Sequence, residues 1–366
     1  MSWSPQQSAA IKAVQDWHKS KSSPQVFRLF GYAGTGKTTI AQAIRDEVKG
    51  RVLFGAFTGK ASLVLRNKGC VGASTIHSMI YKIEDDGPQP TFVINPDSNV
   101  ASASLIIIDE CSMVDEELGK DLLSFGTKVL VLGDPAQLPP VSGAGFFTSQ
   151  KPDVMLTEIH RQAADNPIIR MSMDIREGRP LQVGMYGDSK VIRRASVGQK
   201  AVLAADQVLI GLNRTRRNFN EKIRRLKGID TPYPVEGDRL VCLKNDKEKQ
   251  LLNGGIWTAT RAAFPDDKGI VSLPVMTDDD PMVTKPVDVD VREEFFLGCE
   301  EKVPWQDRRG FQEFDYGYAL TVHKSQGSQW NNVMVFDESR TFRDDAQRWA
   351  YTAITRAAER VTFVID

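Results

Sequence analysis

Short apolar runs alternate with amphipathic segments along most of the chain, which is the rhythm of a parallel α/β fold. Residues 25–48 contain a strand-forming run, a glycine-rich turn and then apolar residues at helical spacing. Two further apolar runs, residues 105–108 and 128–132, are typical of buried parallel strands. Because parallel strands bring the residues that follow them to one edge of the sheet, we expect a functional site at that edge.

Two stretches depart from this rhythm. Residues 81–99 are polar and rich in proline, and they interrupt the alternation of strands and helices. Between residues 236 and 309 the chain shows short β patterns separated by glycine, aspartate and proline, and acidic residues outnumber basic ones from 262 to 302. Residues 213–227 carry a dense set of arginines and lysines, which is usually a solvated helix face.

Composition narrows the class of protein without adding a site. The 366 residues exceed one typical domain, and 41% hydrophobic and 26% charged residues are ordinary for a globular protein. No apolar run reaches the length of a membrane span, and the first residues lack a secretory pattern. A formal net charge of zero argues against coating nucleic acid by bulk charge, but allows a local basic groove. The scattered cysteines and histidines predict no zinc site and no disulfides, as in a reducing cytoplasm.

Residues 31–38, GYAGTGKT, match the phosphate-binding pattern G-x-x-x-x-G-K-[ST] between a predicted strand and a predicted helix. Glycines let backbone N–H groups point at an anion, and the helix start adds its positive end. We expect Lys37 to reach the outer phosphates of ATP and Thr38 to place its hydroxyl on Mg²⁺. The further nucleotide contacts that we expect come from Gly34, Thr35, Gly36 and Thr39.

Acidic residues end the next apolar run. Asp109 would hold Mg²⁺, directly or through water, and Glu110 would act as the general base on the attacking water. Adjacent acids at a strand end are also common as solvated features, so the phosphate loop is what favours catalysis. Gln137 follows the third run and could sense the outermost phosphate or its water. A proline-stiffened turn that merely closes the sheet explains the same residues equally well.

Eight ordered motifs together resemble those of superfamily 1 DNA helicases, in the wording of the RecD-like and Dda-like branch that moves 5′ to 3′. The motifs are GYAGTGKTT, FTGKAS, STIHS, IIIDECSMVD, LGDPAQLPPV, LTEIHRQA, TVHKSQGSQW and YTAITRA. The resemblance runs from about residue 3 to residue 361 and is weak in the middle of the chain. Such an ordered set is far more specific than any one motif.

The resemblance implies an α/β fold with two RecA-like P-loop cores. Residues 1–80 and 101–150 would form the first core, with a hairpin insert at 81–100. Residues 151–235 and 310–366 would form the second core, with an SH3-like β-barrel insert at 236–309. If these two cores grip a single strand alternately, each cycle of ATP binding and hydrolysis moves the protein one step along it.

The resemblance also assigns nucleotide contacts that spacing alone does not give. The segment WSPQQ is similar to the family segment whose glutamine binds adenine, which indicates Gln7, with Gln6 as the next choice. Arg161 and Arg356 are similar to the family's motif IV and motif VI arginines, which stabilise charge on the transferring phosphoryl group. For an arbitrary arginine, a surface salt bridge is the commoner role.

The resemblance places further motifs along single-stranded DNA, where they would contact phosphates regardless of base sequence. The DNA-binding candidates are Thr58, Lys60, Thr75, His77, Asn213, Arg214, Thr321, His323 and Ser325. Each hydroxyl could equally be an ordinary cap or turn residue, and each histidine a structural one. Phe92 is the candidate for stacking on a base at the tip or flank of the hairpin, or else belongs to a plain surface loop.

We therefore expect an ATP-dependent DNA helicase that uses ATP and Mg²⁺, translocates 5′ to 3′ on single-stranded DNA and separates duplex. The short hairpin keeps open a second possibility, a DNA-stimulated ATPase that strips bound proteins without processive unwinding. A regulatory nucleotide switch without a nucleic-acid role is the third. The expected partners are single strands, single-strand/duplex junctions and replication or recombination proteins. We expect a monomer without membrane association, in the cytoplasm of a bacterial or phage-infected cell.

Overall fold

The structure is a computed structural model that describes residues 3–85, 91–140, 145–158 and 165–366. The chain separates into two compact units. The first unit contains Met1–Leu181 and Asp344–Thr355, and the second contains Gln182–Arg343 and Arg356–Asp366. Within the described ranges, every helix is too short or too polar to cross a lipid bilayer.

The first unit is built on a six-stranded parallel sheet in the order β3-β2-β6-β7-β1-β8. Its elements up to the middle of the chain are α1 (Pro5–Lys19), β1 (Val26–Gly31), α2 (Lys37–Glu47), β2 (Val52–Ala56), α3 (Gly59–Asn67), β3 (Ser74–Thr75), α4 (Ile76–Ile80), β4 (Tyr81–Asp85), β5 (Thr91–Ile94), β6 (Leu105–Asp109), α5 (Glu116–Leu123), β7 (Val129–Gly133), β8 (Val154–Leu156) and α6 (Pro167–Arg176).

The predicted apolar runs are the central strands of this sheet. Ile106 lies beside Val129 in the parallel register of β6 and β7, and Val129 lies beside Val26 of β1. The side chains of Ile106, Ile107 and Val129 are completely buried. Helices cover both faces of such a sheet, so β-branched residues are favoured on both sides of each strand. The expectation of a parallel α/β fold is confirmed.

The first unit continues beyond the boundary that we expected near residue 150. Val154 of β8 lies beside Leu29 of β1, so β8 forms the edge of the first sheet. The helix α6 also belongs to this unit. A three-residue edge strand gives too weak an apolar pattern to be predicted, because it buries few side chains of its own. The assignment of the remaining domain boundaries stays a prediction.

Strands β4 and β5 form a separate antiparallel hairpin next to the main sheet. Ile83 lies directly opposite Phe92, and these side chains are 56% and 63% exposed. Two large apolar side chains that pair across a ladder normally face a core. Here they lie on the surface, on the flank of the hairpin.

The second unit contains another six-stranded sheet, in the order β17-β11-β18-β19-β10-β9, which is parallel except for β9. Its elements are β9 (Gly184–Tyr186), β10 (Ser189–Arg193), α7 (Gln199–Leu203), β11 (Gln207–Ile210), α8 (Asn213–Leu226), β12 (Arg239–Cys242), β13 (Ile256–Ala259), β14 (Ile270–Met276), β15 (Val287–Arg292), α9 (Glu293–Phe296), β16 (Phe314–Tyr316), β17 (Ala319–Thr321) and β18 (Trp330–Phe336). The chain then returns to the first unit as α10 (Ala346–Ile354) and ends in β19 (Ala357–Ile365) of the second.

Strands β12 to β16 form a five-stranded antiparallel sheet in the order β15-β14-β13-β12-β16, at the place where the short β patterns predicted an insert. Its core includes Trp257, Phe295 and Phe314. The inward residues alternate with exposed ones along β15, where Val289 and Val291 are buried. This alternation is what a half-buried antiparallel sheet requires.

The basic helix α8 is not simply a solvated face. Arg216 is 2% exposed and its guanidinium donates to Asp315 at 2.5 Å, while Arg224 is 5% exposed and donates to both carboxylate oxygens of Asp238. Both acceptors lie at strands of the antiparallel sheet, so these two arginines fasten that sheet to α8. The interpretation of the whole run as solvated is therefore wrong for these residues.

Candidate active site

The phosphate loop connects β1 to α2, as the sequence predicts. Gly34 and Gly36 have φ angles of 79° and 82°, a left-handed conformation that glycine adopts without steric cost. A side chain at Gly31 would lie 2.6 Å from Oγ1 of Thr35 and 2.8 Å from Cβ of Leu156. The glycines of the motif are therefore needed for the shape of the loop and for its close packing against β8.

Lys37 and Thr38 begin α2, and both side chains make hydrogen bonds within the first unit. The ammonium of Lys37 donates to the carbonyl oxygens of Gly31 at 2.6 Å and Tyr32 at 3.0 Å. The hydroxyl of Thr38 donates to Oδ2 of Asp109 at 3.0 Å. The sequence separates Thr38 from Asp109 by 71 positions, and the parallel sheet brings them together at its carboxyl edge.

Asp109 is the last residue of β6, and Glu110 follows it directly. Burial and the neighbouring Glu110 charge raise the pKa of Asp109, while the Glu110 N–H, Lys37 and Thr38 oppose that shift. The backbone of Glu110 is left-handed, with φ 53° and ψ 45°. A residue with a Cβ adopts this conformation at a cost of about 1 kcal/mol or more, and such strain is common where a side chain is held for function.

The loop after β7 brings Asp134 and Gln137 into the same region of the first unit. Asp134 is 2% exposed, and burial raises its pKa. The N–H of Gln137 donates to the carbonyl of Asp134 at 3.1 Å. Oε1 of Gln137 is buried and has no hydrogen-bond partner among the described residues. An unsatisfied amide oxygen in a buried position costs folding free energy, so a turn that only closes a sheet does not usually contain one.

Two residues that the sequence did not indicate also contact the phosphate loop. The hydroxyl of Tyr351, on α10, accepts a hydrogen bond from the N–H of Ala33 at 2.9 Å and donates to Oδ2 of Asp134 at 2.6 Å. The guanidinium of Arg176, the last residue of α6, lies 3.7 Å from the ring centroid of Tyr32. Tyr351 is the first residue of the YTAITRA motif, and this position could have indicated it, but Arg356 was the one residue of the motif predicted to act in the site.

Both candidate adenine-binding glutamines have hydrogen bonds within the first unit. Gln7 closes a capping box with Ser4 at the start of α1, and its Nε2 donates to the carbonyl of Thr35 at 3.1 Å. Oε1 of Gln6 accepts from the N–H groups of Thr157 and Glu158, each at 2.9 Å. Gln7 thus contacts the phosphate loop itself, whereas Gln6 contacts the end of β8. Adenine binding by Gln7 stays a prediction.

The two candidate arginines have different outcomes. Arg161 lies outside the described residues. Arg356 begins the segment that returns to the second unit; it is 5% exposed and its guanidinium donates to the carbonyl of Ser328 at 3.2 Å. Its own carbonyl accepts from the N–H of Trp330 at 2.9 Å. Arg356 is therefore a buried cation of the second unit, not an exposed surface residue.

The DNA candidates of the first unit are partly committed to local structure. Thr58 and Thr75 are the N-caps of α3 and α4, and their hydroxyls accept from the N–H groups of Ala61 and Ser78. Lys60 is 7% exposed, so little of it reaches the surface. The exposed side chain of His77 lies between the rings of Phe57 and Tyr81. Partial burial of the ring lowers the pKa of His77, and the charge of Asp115 opposes that shift.

Among the DNA-binding candidates of the second unit, some are exposed and others are held in local structure. Asn213 and Arg214 are exposed at the first turn of α8. Ser325 is completely buried and its hydroxyl donates to the carbonyl of Val322 at 2.8 Å, which is the role of a turn residue. Oγ1 of Thr321 accepts from the N–H of Lys324. The ring of His323 lies 5.4 Å from that of Phe342. Asn213 and Arg214 are thus the more accessible of these candidates.

The described residues contain no cluster of side chains typical of a separate metal site. In the ranges that the structure describes, His, Cys, Asp and Glu residues nowhere form a group of three or more that could hold an ion. The pairing of Thr38 with Asp109 is therefore the arrangement in the described residues that suits the metal of a nucleotide complex.

Comparison with known proteins identifies the family. A family model described as an AAA domain matches residues 2–197, which is more than half of the 366 residues. The chain belongs to this AAA domain family. A model of the UvrD-like helicase C-terminal domain matches residues 316–364 of the same AAA-domain chain. These matches, with the relatives below, confirm the expected relationship to superfamily 1B helicases.

Curated relatives of this AAA-domain chain include the ATP-dependent RecD2 DNA helicase of Deinococcus radiodurans. It is 28% identical over 91% of this chain and 46% of the relative. The probable conjugal transfer protein TraA of Sinorhizobium fredii is 24% identical over 97% of this chain and 32% of the relative. The chain thus spans less than half the length of these relatives.

Solved structures of Pif1 helicases share the fold. Two coordinating Pif1 helicases described for DNA unwinding at forked duplex DNA give a TM-score of 0.60 at 17% identity, over 99% of this chain and 92% of theirs. The Pif1 helicase of Candida albicans gives a TM-score of 0.58 at 19% identity, over 100% and 95%. Bacteroides Pif1 bound to single-stranded DNA gives 0.57 at 16% identity, over 99% and 92%. The parallel α/β architecture with a RecA-like P-loop sheet is therefore established.

Proposed function

We propose that the chain is an ATP-dependent DNA helicase that translocates 5′ to 3′ on single-stranded DNA and separates duplex. The observation that carries the proposal is the cluster of Lys37, Thr38 and Asp109 at the carboxyl edge of the first sheet. Relatives described as an ATP-dependent DNA helicase and as DNA-bound Pif1 helicases support it. The direction is that of the superfamily 1B branch.

ATP binding would replace existing hydrogen bonds of the phosphate loop with stronger hydrogen bonds to phosphate. The ammonium of Lys37 is held by the carbonyls of Gly31 and Tyr32, which are neutral acceptors. Phosphate oxygens carry full negative charge, and a charge-assisted hydrogen bond is roughly twice as strong as one to a neutral acceptor. Lys37 therefore gains by turning from the carbonyls to the outer phosphates when ATP enters.

The residues present fit a Mg²⁺ ion that arrives with ATP. Thr38 and Asp109 provide a hydroxyl and a carboxylate, the oxygen ligands that Mg²⁺ prefers when substrate phosphates complete its shell. Burial raises the pKa of Asp109, which leaves a carboxylate that gains from a cation nearby. When bound, the ion would neutralise negative charge on the transferring phosphoryl group and on the leaving phosphates.

Hydrolysis requires a base and counter-charges. Glu110 is proposed as the base that takes a proton from the attacking water, since it follows the strand that carries Asp109. The Oε1 of Gln137, which has no hydrogen-bond partner in the described part of the chain, supports the proposal that Gln137 orients that water. Arg161 and Arg356 are proposed to stabilise charge on the transferring phosphoryl group. The adenine would be bound by Gln7, which already contacts the phosphate loop.

Contacts to DNA are proposed for the accessible candidates first. Asn213 and Arg214 lie exposed at the start of α8, and His77 lies exposed on α4. Thr58, Lys60, Thr75, Thr321, His323 and Ser325 stay predicted contacts of the same strand. The exposed aromatic face of Phe92 on the hairpin is suited to stacking on a base at a junction. An SH3-like character of the antiparallel insert is part of the same proposal.

A strand-displacement assay on 5′-tailed, 3′-tailed and blunt duplexes tests this function. We expect ATP-dependent displacement of the 5′-tailed duplex alone, and none by Lys37→Ala, which lacks the ammonium that binds phosphates. Displacement of the 3′-tailed duplex alone would contradict the direction. The matched control is Lys12→Ala, a lysine on α1 without a role in the proposed site.

The second candidate function is a DNA-stimulated ATPase that moves on single strands and strips proteins. The short hairpin favours it, because β4 has five residues and β5 has four, which offers little surface to separate base pairs. This candidate predicts fast ATP turnover with single strands and release of streptavidin from a biotinylated strand, without duplex displacement. Displacement of a 5′-tailed duplex would rule it out.

Junction-containing DNA is the partner that the proposal requires. Replication or recombination proteins, a monomeric state and a cytoplasmic location in a bacterial or phage-infected cell stay predictions of the sequence. Size-exclusion chromatography with and without a forked duplex measures directly whether the protein is a monomer.

A further inference from the structure

We propose that Tyr351 is a positioning residue of the nucleotide site, whose hydroxyl holds the phosphate loop and the Asp134 turn to the same helix. This inference rests on the proposed use of residues 31–39 as a nucleotide site. It concerns a residue that neither the motif spacing nor the family comparison assigns. Tyr351 does not contact the reacting atoms; it acts through the loop backbone.

The hydroxyl of Tyr351 makes both bonds from a buried position. The side chain is 1% exposed, and its oxygen accepts from the N–H of Ala33 at 2.9 Å while donating to Oδ2 of Asp134 at 2.6 Å. The other oxygen of Asp134 accepts from the N–H of Ala136 at 3.0 Å. One hydroxyl thus joins the phosphate loop, which follows β1, to the turn that follows β7.

The hydrogen bond from the N–H of Ala33 to Tyr351 holds one segment of the phosphate loop in place. Lys37 holds the carbonyls of Gly31 and Tyr32, but it releases them when it turns to phosphate. The Ala33 N–H bond to Tyr351 does not involve Lys37, so it persists through that exchange. It also commits the Ala33 N–H to a protein acceptor, so this N–H is not a donor to phosphate.

Further hydrogen bonds hold α10, the helix that carries Tyr351, in place. The next residue, Thr352, accepts from the N–H of Leu138 at 2.9 Å, one turn further along the Asp134 loop. One turn earlier on α10, Gln347 donates to the carbonyls of Ile175 and Arg176 at the end of α6. Since α10 is held by these bonds, its tyrosine hydroxyl has little freedom to follow the loop. The loop must therefore conform to the helix.

Tyr351→Phe removes the hydroxyl and keeps the ring, so it separates positioning from packing. The N–H of Ala33 and a carboxylate oxygen of Asp134 would then lack their partner in a buried place. We expect the Kd of a fluorescent ADP analogue and the KM for ATP to rise about tenfold, or ~1.4 kcal/mol. The kcat at saturating ATP should change less than about twofold, because Lys37, Asp109 and Glu110 are unchanged and only the population of a competent loop falls.

The matched control is Tyr316→Phe. Tyr316 is also buried, and its hydroxyl donates to a single carbonyl, that of Pro232, at 2.6 Å in the second unit. Both variants lose one buried hydroxyl and should lose similar stability. Only Tyr351→Phe should weaken nucleotide binding. A merely structural role for Tyr351 would lower the Tm in both variants and leave both nucleotide constants unchanged.

The binding measurement is made without DNA, so it is independent of helicase activity. A Kd for Tyr351→Phe within twofold of Tyr316→Phe overturns the inference. If Tyr351→Phe does not fold, Asp134→Asn decides, because a carboxamide has one acceptor oxygen for the two donors, the hydroxyl of Tyr351 and the N–H of Ala136. We expect at least a fivefold weaker Kd for that variant, and wild-type binding would again overturn the inference. A wild type that binds ADP but ignores DNA contradicts the proposed function alone.

Discussion

The arginines of α8 offer a sharp distinction between a structural cation and a surface cation. Arg224 donates to Oδ1 and Oδ2 of Asp238 at 3.1 and 3.0 Å, and to the carbonyls of Thr231 and Tyr233, each at 2.7 Å. Its guanidinium also lies 4.0 Å from the ring centroid of Tyr316. The side chains of Arg224 and Asp238 are 6% and 0% exposed, so the pair is shielded from water.

Arg224→Met removes this cation while keeping much of the side-chain volume. Asp238 would keep the N–H of Val235 and the hydroxyl of Tyr318 as donors but would lose its counter-charge. Breaking a buried ion pair from one side costs about 3–5 kcal/mol. For a unit of this size, a loss of roughly 2–4 °C per kcal/mol gives a fall in Tm of about 6–20 °C.

The neighbouring Arg225 is the control for this change. It is 69% exposed, and it faces Glu221 one turn away at 3.7 Å. An exposed pair of this kind contributes about 0.3–0.5 kcal/mol, so Arg225→Met should lower the Tm by about 2 °C or less. Urea and thermal unfolding, followed by circular dichroism, compare the two variants. Equal free energies of unfolding for Arg224→Met and Arg225→Met would refute the assignment of Arg224 to the interior.

Three further predictions concern the proposed site. Glu110→Gln should keep the Kd for ATP within about threefold and lower phosphate release at least 100-fold, since a base contributes about 10²–10⁴ in rate; cleavage at the wild-type rate would show that Glu110 is not the base. Arg356→Ala should lower ATP turnover about tenfold or more while single-strand affinity, measured by fluorescence anisotropy, stays within twofold; unchanged turnover would contradict the proposed role. Phe92→Ala should weaken binding to a fork by about 1–3 kcal/mol and leave ATP turnover on long single strands intact, and an equal loss for Glu84→Ala on the same hairpin would argue against stacking.

Local patterns predicted the parts of the molecule whose geometry is local. The phosphate loop depends on glycines and a lysine within nine residues, and Gly34, Gly36 and Lys37 have the conformations and position that the pattern requires. The strands that end in Asp109 and Gly133 were predictable because they are apolar on both faces. Their meeting with Thr38 follows from the geometry of a parallel sheet.

Contacts between distant segments were not predictable in the same way. Tyr351 meets Ala33 across 318 positions, and nothing in the spacing of either segment indicates the bond. The basic run of α8 shows the same limit, since Arg224 and Arg225 are adjacent and differ only in which side of the helix meets Asp238. Periodicity gives the faces of a helix, but the partner that covers each face is decided by tertiary packing.

Steady-state ATP turnover with and without single-stranded DNA measures whether hydrolysis is coupled to DNA. We expect saturating single strands to raise the kcat at least about tenfold over the DNA-free rate, and Lys37→Ala to abolish both rates. Turnover by the wild type that is the same in the presence and absence of DNA would contradict the coupling of ATP hydrolysis to DNA.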